Sequence, residues 1–164
     1  MPTRREALVQ LAALAALPLP KFRVGTAADP LDGTIAEYQA GRRRGDYTAS
    51  EIVARALDRC RTDGAKWRAI DALSDRALAD ARDSDARLRA GQLRGPLDGV
   101  PLFAKAIYDM NGLPTTGSNA EWARLFPEPV RRDSIEVIRM RAAGAVVLGK
   151  TAADDFAPQP GRPG

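Results

Sequence analysis

Ala145-Val146-Val147-Leu148 is an unbroken apolar run closed by Gly144 and Gly149. A run this short and without alternation fits a strand buried on both faces. Such a strand needs neighbouring strands and helices on either side. Helical patterns precede it. Thr48-Ala49-Ser50-Glu51 is a capping box, and Ile52, Val53, Ala56, Leu57 and Cys60 follow at helical spacing. Trp67 to Leu73 reads as extended. Ser74 opens a helix to about Ala90 that Gly91 stops. Gly95 to Gly99 is turn chemistry, and Val100–Ile107 reads as a second apolar strand. Gly112–Ser118 is a loop. Asp133-Ser134-Ile135-Glu136 reads as a second capping box, whose helix ends at Gly144. Helices alternating with apolar strands predict an α/β fold. The Pro/Gly-rich residues 158–164 read as a disordered tail.

Composition excludes several chemistries. The 164 residues contain no histidine and one cysteine. A Ser-His-Asp triad, a Cys-His dyad, an internal disulfide and a cysteine-ligated zinc site are therefore ruled out. No cofactor is expected. Cys60 falls on the apolar stripe of its helix and reads as a small buried hydrophobe. Of the net charge of +4, three charges sit in residues 1–28, so the body is near neutral and no nucleic-acid partner is expected. Arg42, Arg43 and Arg44 read as a solvated turn.

Residues 1–28 resemble an export signal. Arg4 and Arg5 precede a dozen mostly apolar residues from Ala7 to Pro18, and small residues follow at Gly25–Ala28. The run is too short to span a bilayer. The paired arginines resemble a bacterial twin-arginine signal, although Ala7 stands where phenylalanine is usual. The expectation is export to the periplasm; the alternative is an N-terminal helix that stays in the cytoplasm.

Gly144–Thr151 satisfies the letters of the phosphate-binding motif G-x-x-x-x-G-K-[ST]. That motif needs a strand, a flexible loop and then a helix, whereas here its middle residues are themselves the strand and a helix precedes it. A nucleotide site is rejected.

Two ordered blocks carry a more specific signal. The first is Gly95-Pro96-Leu97-Asp98-Gly99-Val100-Pro101, then Lys105, then Gly112–Ser118. The second is Arg141–Thr151 followed by Asp155-Phe156-Ala157. Together they resemble the amidase signature family over residues 29–157. The resemblance implies the N-terminal helices and first strands of a mixed sheet sandwiched by helices, left incomplete. It also implies amide hydrolysis by a Ser–Ser–Lys triad without metal, acting on a small-molecule amide. Lys105 matches the family's catalytic lysine. Its neighbours Leu102, Phe103, Ala104, Ala106 and Ile107 are apolar, which suits the buried lysine the family chemistry needs, whereas the open edge of an incomplete sheet is expected to leave Lys105 hydrated in this chain. Lys150 reads as structural. The five serines, Ser50, Ser74, Ser84, Ser118 and Ser134, include none in a Gly-Gly-Ser-Ser context. Both catalytic serines are therefore absent, and the isolated chain is expected to be inactive. Ala106, Asp98, Ala152 and Ala153 also depart from residues common in the family. A non-catalytic relative that binds a ligand or partner chain is the alternative. An incomplete sheet predicts self-association through an exposed edge.

The export pattern yields a first test. A chain starting at Asp29 should be as soluble and as cooperatively folded as the full one, by gel filtration and thermal melt. Loss of either would show that residues 1–28 belong to the fold.

Overall fold

The computed structural model describes residues 29–154. The export pattern, Asp155-Phe156-Ala157 and the Pro/Gly tail lie outside the described residues.

Thr34 caps α1 (Ile35–Arg44) through a full capping box with Glu37. The sequence reading places no helix here, although Thr34-Ile35-Ala36-Glu37 has the same pattern as Thr48–Glu51. The Thr48 box does form and opens α2 (Ala49–Arg59). A π-helical turn at Cys60–Gly64 follows. Cys60, whose N–H still reaches the Ala56 carbonyl at the end of α2, is half-buried there rather than enclosed on the helix stripe. β1 spans Ile70–Leu73 and α3 spans Ala77–Arg89, three residues later than Ser74 predicts. β2 is Pro101–Lys105. A short α4 (Ala120–Leu125) is capped by Asn119, which accepts from the Trp122 N–H at 2.6 Å. α5 is Ile135–Ala142 and β3 is Val146–Thr151. The second capping box is not made: the Ser134 side chain forms no cap bond and its hydroxyl is buried without a protein partner among the described residues. Asp133 instead receives the Asn111 N–H at 2.7 Å and pairs with Arg141 at 3.0 Å.

The three strands form one mixed sheet in the order β1-β3-β2, β1 antiparallel to β3 and β2 parallel to it. β3 is central and almost wholly buried. It runs through Gly149 to Thr151, two residues past the exit that the glycine predicts. Gly149 is needed because a Cβ there would collide with the Ala72 carbonyl of β1. Val146 and Leu148 pack with Ala49, Val53, Ala77 and Ala81 of α2 and α3. Val147 packs with Ala104, Met110 and Val137. The sheet thus has helices on both faces.

Arg42 corrects the solvated-turn expectation. It is 2% exposed and sits in the last turn of α1. Its guanidinium donates to the Asp98 carbonyl, to Ser84 Oγ at 3.0 Å and to Asp85 at 3.2 Å. The Asp98 side chain is fully buried. It accepts from Ser84, from both Arg87 nitrogens at 2.9 and 3.0 Å, and from the Arg94 N–H at 2.9 Å. Asp85 also receives the Ala49 and Ser50 N–H groups at 2.7 and 3.0 Å, a second cap on α2. This network locks the 95–99 turn against α1 and α3. A Cβ on Gly144, at φ +88°, would lie 2.7 Å from the Asp98 Cα.

Breaking the network should be costly, because one buried charge loses its partner. Asp98→Asn is expected to destabilise by about 3–5 kcal/mol in urea unfolding. Burial pushes the Asp98 carboxyl up, but Arg87, the Arg94 N–H and Ser84 outweigh it and hold it below the usual range. Its stabilisation is then present above the unfolded carboxyl value of about 3.9 and is lost as pH falls through the lower folded value. The wild-type chain should lose stability in that acid window more steeply than Asp98→Asn; parallel curves would remove Asp98 from this role.

Candidate active site

In parallel α/β sheets, ligand chemistry gathers beyond the C-terminal ends of the strands. Lys105 ends β2, and its Cα pairs with that of Thr151 at the end of β3. The Ala106 N–H donates to the Thr151 carbonyl at 2.9 Å, which continues the pairing one residue further. Lys105 is half-buried, and its ammonium has no hydrogen-bond or ion-pair partner among the described residues. The apolar neighbours alone suit fuller burial, and the open edge expected of an incomplete sheet suits the partial exposure seen. β2 is an edge strand among the described residues, so only one flank of Lys105 is covered.

The fully buried lysine is Lys150, which pairs with Ala104 on the central strand and is 0% exposed. By strand alternation, Lys105 and Lys150 leave the sheet on opposite faces. Lys150 Nζ donates to the Pro114 carbonyl at 2.7 Å and to Thr115 Oγ1 at 3.0 Å. Desolvation pushes its pKa down, and Asp71 and Asp109 partly restore the charged form. The structural role read from the sequence fits these contacts.

The Gly112–Ser118 loop lies across the strand ends. Thr115 Oγ1 donates to Asp109 at 2.7 Å, and Thr116 Oγ1 and Ser118 Oγ donate to Asp71 Oδ1 at 2.8 and 3.2 Å. The Gly117 N–H bonds the Ala106 carbonyl at 3.3 Å. The Ala153 N–H donates to Ser118 Oγ at 2.7 Å. Ser118 adopts φ +58°, unusual for a residue with a side chain, and its hydroxyl is engaged in this bracing. Ser118 is thus a loop residue whose hydroxyl is taken up in holding the loop. Asp98 is far from this end: it supports the N-terminal turn of β2.

A family model described as Amidase matches residues 51–160. The chain belongs to the amidase family. It is 39% identical over 125 residues to a glutamyl-tRNA(Gln) amidotransferase subunit from Chloroflexus aurantiacus, covering 76% of this chain and 25% of that protein. Among solved structures, a peptide amidase from Stenotrophomonas maltophilia superposes with a TM-score of 0.67 at 29% identity, over 82% of this chain and 26% of that one. A bacterial aryl acylamidase of the amidase signature family gives a TM-score of 0.66 at 22% identity, over 76% of this chain and 26% of that one, and shares the fold. The chain spans about a quarter of the length of these relatives.

Within this amidase-family chain, Asp71 and Asp109 are the polar groups that sequence reasoning missed. Asp71 sits at a β-bulge of β1, between Ile70 and Ala72, whose register shifts there. Nothing local marks an aspartate in a four-residue strand as a loop anchor. Among the described residues, no group of acidic or cysteine side chains could hold a metal, and no helix is long and apolar enough to cross a membrane.

Lys150 supplies the test for this arrangement. Lys150→Ala leaves a cavity at a fully buried position and two loop oxygens without their donor, and should cost about 2–5 kcal/mol in urea unfolding. Lys66→Ala, at an exposed lysine over the Trp67 ring, should cost under about 1 kcal/mol. Equal losses would mean that Lys150 is not the anchor of the loop.

Proposed function

We propose that this chain carries the lysine end of an amidase site that hydrolyses the C–N bond of a small amide by a Ser–Ser–Lys triad. The observation that carries the reading is the place of Lys105. It stands at the C-terminal end of a parallel strand, beside Thr151, with its ammonium unengaged among the described residues. In its neutral form Lys105 would accept a proton through a bridging serine. The nucleophilic serine would then attack the carbonyl, and backbone N–H groups would hold the oxyanion. Both serines would come from a Gly/Ser-rich segment that these residues do not contain.

The 164-residue chain alone is therefore inactive on this reading, since without the nucleophile only residual effects of binding remain. Assay of the purified chain with simple amides and esters should give no turnover above buffer. Turnover that Lys105→Ala abolishes would overturn the inactivity. In a protein that also carries the serine segment, Lys105→Ala should lower kcat by at least about 100-fold, the scale of a lost general base. Unchanged kcat there would remove Lys105 from the mechanism. Residues 1–28 are proposed to direct export to the periplasm, and the outer edge of β2 to support self-association of the isolated chain.

A further inference from the structure

We propose that Asp71 and Lys150 are positioning residues: they hold the 114–118 loop across the C-terminal ends of β2 and β3, and the loop in turn fixes the backbone that carries Lys105. Their positioning role rests on the catalytic reading of Lys105; the clamp itself rests on contacts.

Two strands supply the two jaws. Asp71 Oδ1, from β1, takes the hydroxyls of Thr116 and Ser118. Lys150, from β3, takes the Pro114 carbonyl and the Thr115 hydroxyl. Between the jaws, the Gly117 N–H reaches the Ala106 carbonyl, one residue after Lys105. The Ser118 hydroxyl also receives the Ala153 N–H, two residues after β3. A single loop thereby ties the ends of two parallel strands that have no covalent link nearby. The loop carries strain in return at Ser118, a residue with a side chain held at φ +58°.

The clamp is a poor device for stability alone. Lys150 is a buried ammonium bonded to neutral oxygens. Asp71 Oδ2 is buried without a protein partner among the described residues. Apolar residues of similar volume often serve stability as well as buried charges do. Charges in such places fit a requirement for placement, and the group placed is the end of β2.

The test uses the 164-residue chain. Amide hydrogen exchange is measured at residues 115–118 and at Ala106. Acylation of the ε-amines by a small activated ester is mapped by peptide mass, as the ratio of Lys105 to Lys66. Asp71→Ala and Lys150→Met should speed exchange at 115–118 and at Ala106 by at least tenfold, and should shift the labelling ratio by at least threefold. Val137→Ala, a core truncation under α5, serves as the control for general loosening; it should lower the melting temperature and leave the ratio unchanged. If either charged variant fails to fold, Thr116→Val and Ser118→Ala remove the partners of Asp71 and carry the same expectation. A labelling ratio that stays at the wild-type value while the loop exchanges faster would overturn the proposal, as would unchanged exchange. Neither readout depends on turnover, so a failed hydrolysis experiment leaves this result standing.

Discussion

One contact decides where the sheet begins. The turn before β2 is pressed onto the turn before β3, so closely that Gly144 has no room for a Cβ beside Asp98. The Gly99 N–H donates to the Gly144 carbonyl and the Val146 N–H to the Val100 carbonyl, both at 2.9 Å. These bonds start the parallel ladder. The buried Asp98 carboxylate, satisfied by Arg87, Ser84 and the Arg94 N–H, holds that turn from α3. Arg42 holds its carbonyl from α1. Tyr38 adds a hydroxyl bond to the Gly99 carbonyl at 2.8 Å. Two helices far apart in sequence thus converge on one turn.

Register is held strictly only up to an irregularity, where one extra residue of β3 is absorbed and the pairing steps on by one. Pro101 opposite Val146 becomes Lys105 opposite Thr151, after one irregularity near Gly149. The same strand pairing places Ala104 against Lys150. One lysine is therefore buried and engaged while the other, on the opposite face, keeps its ammonium available. The division of labour between the two lysines follows from which strand is central.

Local signals made part of this legible from sequence. The apolar run of β3, the capping box at Thr48 and the glycine stop at Gly144 are each decided within a few residues, and each appears in the fold. The same is true of the rejected phosphate-binding motif, whose middle residues are strand β3. What escaped depends on distant partners. Arg42 is buried because Asp98, 56 residues away, needs a donor. The Ser134 box fails to close, and Asp133 is drawn instead to Asn111 and Arg141. The apolar neighbours of Lys105 alone suit fuller burial. Its half-exposure comes from lying on an edge strand, which follows from the open edge expected of an incomplete sheet and not from the residues around it. At the site, Asp71 escaped because its partners, Thr116 and Ser118, are distant.

The contact between the two turns sets the first pairs of the β2–β3 ladder, and its hold extends across the irregularity between Leu102 and Ala104 to the residue after Lys105. Amide hydrogen exchange in Gly144→Ala tests this most directly. Protection should fall at Val146, beside the change, and equally at Ala106, whose N–H bonds the Thr151 carbonyl at the opposite end. Wild-type protection at Ala106, with the loss confined to Val146 and Gly99, would contradict it.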